Sequence, residues 1–411
     1  MSGHTHCRIC DTKLPDPFFN LGAMPLANSF LSSPAEFAGE ASYPLAVCAC
    51  SDCGLVQLNY VVPAEQLYRN YIYVSSTSET VRSHARTLAG NLVRRYGWGS
   101  SDLVVEVASN DGTVLKAFQG HGVRVLGVEP AENIAAIAEA EGVPTVAEFF
   151  NGETAGVLHT DHREAAGIIG RHVFAHVDNL HDFLEGVRTF LAEDGICIIE
   201  VPYLGDLLEH LAFDTIYHEH LSYFSLEPIQ RLCERHGLQL IDAERITLHG
   251  GSVILHIGRA GQKNKPSERL SRMLAEEQAA RFSDARQLIA FVKRVERWKE
   301  QFEGLLHELA RSGMRLVGYG AAAKANTLLN YCCQTSQVLR VILDRSPHKQ
   351  ELYTPGTHIP VKPVDAWKQE RASHLVILAW NFQDEIVRQM RPFTEAGGRF
   401  VQVLPRPAIL E

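Results

Sequence analysis

Cys7-Arg8-Ile9-Cys10 and Cys50-Ser51-Asp52-Cys53 repeat one Cys-x2-Cys spacing about forty residues apart, and no other feature of the chain restricts its fold as tightly. Each pair closes a tight turn over an ion, and together they supply four thiolates to a tetrahedral zinc site. Four sulfurs fill the coordination sphere, so the Zn2+ expected on Cys7, Cys10, Cys50 and Cys53 is structural, with no open position for water or substrate. Cys48 is out of register and is read as a bystander. Clustered thiols of this kind fit a reducing compartment. The sequence shows no apolar run of 18 residues and no basic-then-apolar leader, so a cytoplasmic protein without a membrane partner is expected. A net charge of −9 without a basic stripe argues against nucleic acid as a main partner.

A chain of 411 residues exceeds one ordinary core. The patterning divides it into a zinc-binding segment, 1–66, a first α/β layer, 67–260, and a helical bridge leading into a second α/β layer, 261–411. Within the first layer, Leu103-Val104-Val105-Glu106-Val107-Ala108 is a buried strand, followed by the turn Ser109-Asn110-Asp111-Gly112-Thr113, a helix, and a strand ending at Glu129-Pro130. That is the βαβ start of a mostly parallel sheet. Further strands are expected at Gly167–Phe174, Ile196–Val201, Leu238–Ile246 and Ser252–Ile257. Residues 262–312 are helical by period. The second layer opens at Arg315-Leu316-Val317-Gly318-Tyr319-Gly320-Ala321-Ala322-Ala323-Lys324, with strands expected at Val338–Leu343 and Leu375–Trp380. The hydroxyls of Ser75 to Ser78 read as a helix N-cap.

Glu129 stands about twenty residues beyond a small-residue turn that opens a helix, the arrangement by which a nucleotide-binding sheet offers a carboxylate to two ribose hydroxyls. The turn selects between ligands. A pyrophosphate wants bare amides at a helix N-terminus, whereas Glu106, Asn110 and Asp111 crowd this turn with acid. A cationic sulfonium with an amino-acid tail tolerates acid, so Glu106, Ser109, Asn110, Asp111, Gly112, Glu129 and Pro130 are candidate contacts to S-adenosyl-L-methionine rather than NAD. The second turn, Gly318-Tyr319-Gly320 to Lys324, reads as free of acid, which makes Lys324 a candidate phosphate contact; Asn381, at the end of a later strand, is a weaker substrate contact.

Taken together, CRIC and CSDC, MPLANSF at 24–30, VEVASNDGTVL at 105–115, GVEPAENIA at 127–135, VFAHVDNLHDFLEGV at 173–187, YHEHLSYFS at 217–225, HGGSV at 249–253 and GYGAAAKANT at 318–327 resemble the S-adenosylmethionine-dependent sugar C-methyltransferases of branched deoxysugar synthesis. The resemblance runs through nearly the whole chain. It implies a class I methyltransferase Rossmann-like sheet, flanked by a small N-terminal zinc-binding domain and a C-terminal Rossmann-like domain that closes over a nucleoside-diphosphate sugar, in a monomer or homodimer. Two departures stand out. Ala108 fills a slot where the family usually has glycine, costly only if that backbone needs a positive φ. Arg171-His172 replaces a small residue and asparagine.

Methyl transfer to a carbon beside a ketone requires an enolate. The α-proton and an imidazole differ by about a dozen pKa units, a gap of ~16 kcal/mol, so a base alone is insufficient and the oxyanion must be stabilised. His220 is the candidate base, with Glu219 as its alternative or its support. Tyr217 and Tyr73 are candidate phenolic donors to the oxyanion, Tyr71 a further one on the substrate side, and His176 lies where a parallel strand ends. His218 is read as structural. A metal on His218-Glu219-His220 lacks a third ligand at suitable spacing, and HExxH is absent. Two alternatives remain open: an NAD-dependent oxidoreductase of nucleotide sugars using the second turn, and a non-catalytic zinc-dependent binding protein.

Overall fold

The computed structural model describes residues 3–69, 74–261, 265–332 and 334–410, the side chain of His249 excepted. β1 (Phe19–Pro25), β2 (Ser42–Ala49) and β3 (Val56–Leu58) form an antiparallel meander beside the cysteine pairs. β4 (Leu103–Val107), β5 (Arg124–Val128), β6 (Thr145–Val146), β7 (Ala165–Arg171) and β8 (Leu191–Pro202) follow, then the short β9 (Ser222–Tyr223) and the antiparallel pair β10 (Leu238–Ile246) and β11 (Ser252–Arg259). Helices Glu268–Ala280 and Ala285–Arg311 lead to β12 (Leu316–Tyr319), β13 (Ile342–Leu343), β14 (Val361–Lys362), β15 (His374–Ile377), β16 (Arg399–Gln402) and β17 (Ala408–Leu410).

β4 reads Leu-Val-Val-Glu-Val with every residue buried, as a central parallel strand covered on both faces must be. Its side chains alternate between two cores. Val104 packs with Leu88, Leu115 and Phe118 under the helices Glu79–Tyr96 and Thr113–Gln119. Val105 and Val107 pack with Phe183 and Val187 of the helix Leu180–Phe190 on the other face. The sheet order is β10-β11-β8-β7-β4-β5-β6, in which β11 runs antiparallel to both neighbours. The C-terminal sheet has the order β14-β13-β12-β15-β16-β17, parallel except for β17. In both sheets the chain leaves the first strand toward one edge and returns on its other side, at β4/β7 and at β12/β15. Such a reversal opens a crevice at the carboxyl ends of the strands.

The zinc-side sheet is not drawn from residues 1–66 alone. Its fourth strand is β9, paired to β3 through Val56–Tyr223 and Gln57–Ser222. A three-stranded meander leaves an unpaired edge, and the segment that continues the expected catalytic stretch covers it. The module has no separate core either. Phe19, Leu45, Val47 and Leu58 share one with Phe291, Val295, Trp298, Phe302 and Leu306 of the long helix and with Leu328 and Leu329 beyond β12.

The expected strand boundaries shorten at the crevices. β7 stops at Arg171 and β15 at Ile377, and the chain turns through single 3-10 turns at Phe174–His176 and Trp380–Phe382. A strand that delivers side chains over a crevice must leave the ladder first. The expected Val338–Leu343 strand is reduced to Ile342–Leu343. Ser78 is the N-cap residue of Glu79–Tyr96, its hydroxyl accepting from Val81 N at 3.4 Å.

Candidate active site

The crevice at β4/β7, the segment before β9 and the start of the helix Ala323–Tyr331 enclose a cavity of about 500 Å³. Its wall contains Glu106, Ser109, Asn110, Glu129 and Pro130, then His176, Tyr217 and His220, then Lys324 and Asn381. The candidate residues from three distant parts of the sequence therefore meet in one space. Tyr71 and Tyr73 lie outside the described residues.

The first turn is held by its acid. Glu129 accepts from Asn110 N at 2.8 Å and from Ala131 N at 2.9 Å, and these bonds oppose the burial that pushes its pKa up. Ala108, Asn110 and Gly112 all have positive φ, 54°, 51° and 74°, so the methyl of Ala108 sits in the conformation that favours glycine. Asp111 and Gly112, expected at the cofactor, are not in the cavity wall. Asp111 accepts from Ser76 N at 3.0 Å and from the Thr113 hydroxyl at 2.7 Å, while Asn110 Oδ1 accepts from Ser75 N at 2.9 Å, so the two side chains pin residues 75 and 76 over the turn. Gly112 is spared a Cβ that would lie 2.8 Å from Val143. Glu106 Oε2 and Ser109 Oγ are buried without a hydrogen-bond partner among the described residues. Burial, with Asp111, Glu129 and Glu200 nearby, lifts the Glu106 carboxyl well above the carboxylate range against the pull of Arg171.

Tyr217 to His220 form a turn, not a strand, closed by His220 N on Tyr217 O at 2.9 Å. The turn separates the two imidazoles. His218 Nε2 points away to the carbonyls of Tyr43 and Pro44 in β2, each at 3.2 Å. His220 Nδ1 lies 2.7 Å from the Thr215 carbonyl, which can only accept, so Nδ1 carries the proton and Nε2 keeps its lone pair. The Tyr217 hydroxyl meets that Nε2 at 3.0 Å. Burial, then the neighbouring His176, hold His220 well below the usual imidazole range, so it is neutral at physiological pH. Glu219 is not in the wall: its carboxylate accepts from Asn28 Nδ2 at 2.6 Å. His176 lies between Tyr68, stacked at 5.6 Å, and His220, at 4.9 Å between ring centroids, and burial lowers its pKa to about 3.

The second turn is not free of acid. Asp344, just beyond β13, accepts from Ala321 N at 2.7 Å and from Ser346 N at 2.8 Å, so a carboxylate already occupies the leading amide. Other cavity residues were given no role by the sequence, Arg171 and His172 standing out there only as a departure from the family pattern. Arg171 and His172, at the end of β7, both pair with the fully buried Glu200, at 3.2 and 2.9 Å, and His84 adds a third contact at 2.8 Å. Burial alone would raise the Glu200 pKa, but these partners carry it well below the carboxylate range. Asn28, within MPLANSF, and Lys349 also line the cavity. For Asn28 the signal was its place in MPLANSF, while the polar neighbours of Lys349, His348, Gln350 and Glu351, gave none.

The four zinc-side sulfurs lie within 4.8 Å of one another, with Cys7–Cys53 and Cys10–Cys50 each at 3.4 Å, the span a tetrahedral ion requires. Among the described residues the other such group is Asp206, Glu209 and His210, where Arg245 is already bound to both carboxylates. His218, Glu219 and His220 do not converge. Arg8, its side chain fully buried between the first two cysteines, donates to Gln57 Oε1 at 3.1 Å, to Leu58 O at 2.8 Å and to Asp178 Oδ1 at 3.1 Å. The zinc-side module is thereby tied to β3, and β3 to the stretch that carries His220.

Family models match almost end to end: a zinc binding domain over residues 7–68, a methyltransferase domain over 81–243 and a C-methyltransferase C-terminal domain over 247–405. C-methyltransferase NovU of Streptomyces niveus is 36% identical over 409 residues, covering 98% of this chain and 96% of that protein. Among solved structures, magnesium protoporphyrin IX methyltransferase from Synechocystis PCC 6803 with bound S-adenosylhomocysteine matches with a TM-score of 0.35 and 12% identity over 44% of this chain and 83% of that one. The mitomycin 7-O-methyltransferase MmcR matches with a TM-score of 0.36 and 16% identity over 45% and 56%.

Proposed function

The chain belongs to the C-methyltransferase family, and from that premise we propose that its substrate is a nucleoside-diphosphate keto-deoxysugar, methylated at the carbon beside the ketone, C-3. The enzyme is S-adenosylmethionine-dependent and carries a structural zinc. The residues present suit the cofactor: Glu129 retains acceptor capacity for two ribose hydroxyls, and the unpartnered Glu106 Oε2 and Ser109 Oγ suit the ammonium of an amino-acid tail. The cysteines would hold the zinc and fold the module.

The observation that carries the enolate reading is the tautomer of His220. With Nδ1 tied to Thr215 O, the lone pair on Nε2 is the basic one, in the cavity wall. Nε2 takes the α-proton, the C–H electron pair becomes the enolate double bond, and the carbonyl pair moves onto oxygen. Tyr217 follows the change, since its hydroxyl can no longer donate to a protonated Nε2 and can turn to the new oxyanion. When bound, S-adenosylmethionine supplies the methyl: the enolate carbon forms the new C–C bond as the C–S pair leaves on sulfur, giving the neutral thioether. His220 then returns its proton to solvent.

Incubation in deuterated water with a panel of thymidine and uridine diphosphate 4-keto-6-deoxysugars, with and without S-adenosylmethionine, tests the reading. The wild type should wash deuterium into the α-carbon and, with cofactor, methylate it; His220→Asn should lose both. Undiminished exchange in His220→Asn would remove His220 as the base, and absence of exchange across the panel would remove the sugar substrate.

A further inference from the structure

Lys324 and Trp380, both half-buried, form with the buried Asp214 a cluster that the base and the cofactor turn do not account for. Trp380 Nε1 donates to Asp214 Oδ2 at 2.6 Å, linking the C-terminal sheet to the segment just before the base. The Lys324 ammonium lies 5.0 Å from the centroid of the Trp380 ring. Gly250, of the HGGSV stretch, makes room for that ring: a Cβ there would lie 2.3 Å from it. Lys324 lines the same cavity as His220. Burial draws its pKa below the usual lysine range and Asp214 opposes that, while its positive charge is among those that depress His220.

A phosphate role for Lys324 fits this arrangement poorly. A diphosphate at the second turn needs open amides, and the carboxylate of Asp344 sits on the Ala321 amide at 2.7 Å. Asp214 also offsets the lysine charge. A single developing negative charge, enclosed beside an ammonium whose charge is already partly offset, is better matched. The site has need of it as well, because a base weakened by burial leaves more of the proton-transfer barrier to be met at the oxygen.

We propose that Lys324 is a catalytic residue whose ammonium stabilises the enolate oxygen, with Asp214 and Trp380 positioning it. This rests on the enolate reading above. As His220 Nε2 takes the proton, the carbonyl π pair moves onto the oxygen beside Lys324, and that pair returns to the carbonyl when the new C–C bond forms. The cation opposes charge on His220 but favours charge on oxygen, and the balance is favourable when the oxygen is the nearer partner.

The test takes Lys324→Met and the keto-sugar nucleotide that the wild type exchanges. In deuterated water with S-adenosylhomocysteine bound, α-exchange should fall about 100- to 1000-fold, the range for loss of one oxyanion donor. Affinity for thymidine and uridine diphosphate, measured calorimetrically, should stay within about twofold. Unchanged exchange, or a loss of diphosphate affinity that accounts for the lost rate, would overturn the assignment. If Lys324→Met no longer binds S-adenosylhomocysteine, Lys324→Ala with added ethylamine replaces it: exchange restored by the amine and not by ethanol supports the role, and equal behaviour with both refutes it. A wild type that exchanges no substrate defeats the enolate reading itself, whereas normal exchange in both wild type and variant defeats only the role of Lys324.

Discussion

The two Rossmann-like sheets solve one backbone problem in the same way and then diverge in charge. In each, the residue after the first strand has positive φ, Ala108 at 54° and Gly320 at 95°, and the acid after the second strand ties down the turn, Glu129 on Asn110 N and Asp344 on Ala321 N. The side chains added to that frame differ. The first crevice presents Glu106, Ser109 and Glu129 to the cavity, the second Lys324 and Lys349. A shared turn device thus carries opposite charge, which on the proposed function turns acid toward a cationic cofactor and base toward an oxyanion. Fold alone would not have separated these roles.

The largest expected effect comes from removing the two tying acids in turn. Glu129→Ala deletes two hydrogen bonds to a charged acceptor, each worth about 1.5–3 kcal/mol, and with them the proposed ribose contact. S-adenosylhomocysteine should bind about 100-fold more weakly, roughly 2.7 kcal/mol, with thymidine and uridine diphosphate affinity unchanged. Asp344→Ala should leave S-adenosylhomocysteine affinity unchanged and hold or raise thymidine and uridine diphosphate affinity, because it frees the Ala321 amide and removes a carboxylate from the second turn. If both variants weaken both ligands equally, the crevices do not divide the ligands as proposed.

The first crevice was legible in the sequence because its determinants are local: a buried strand, a small-residue turn and an acid about twenty residues later. The paired cysteines were legible for the same reason. What escaped depends on contacts across long stretches of chain. The β3–β9 pairing joins residues 56 and 223, and nothing in Ser222-Tyr223 announces an edge strand of a zinc-side sheet. The turn at 217–220 decides which imidazole reaches the cavity, and hydrogen bonds from His218 to Tyr43 and Pro44 fix that choice. Asp344 lies outside the second turn in sequence, and its position on Ala321 N follows only from the ladder that sets β13 beside β12.

Glu106 sharpens the contrast through pH. Its folded-state pKa is raised, chiefly by burial, so the folded protein holds a proton that the unfolded chain releases. The associated stability is complete below the ordinary glutamate pKa of about 4.3 and is lost as pH rises through the elevated value, at up to about 1.4 kcal/mol per pH unit. Glu106→Gln cannot titrate. Its melting temperature, followed by calorimetry from pH 5 to pH 8, should therefore decline less than that of the wild type. S-adenosylhomocysteine, whose ammonium favours the ionised carboxylate, should flatten the wild-type profile toward that of the variant. Parallel profiles without ligand would mean that Glu106 carries no excess proton and meets the cofactor as a carboxylate already.

The smallest effect isolates the backbone that the crevices share. At φ 54° the Ala108 methyl is held in left-handed geometry, which costs a non-glycine residue about 1–2 kcal/mol, partly offset by the greater unfolded-state freedom of glycine. Ala108→Gly should stabilise the protein by about 0.5–1 kcal/mol, read as a higher urea midpoint at constant slope, with S-adenosylhomocysteine affinity within about twofold. The opposite change at the matching position, Gly320→Ala, should destabilise, because its Cβ would lie 2.5 Å from the Cβ of Ala379 and 3.1 Å from its amide nitrogen. A destabilised Ala108→Gly would show that the methyl packs productively. The first crevice would then differ from the second in packing as well as charge, and the alanine would be a filled position in the cofactor turn rather than a tolerated strain.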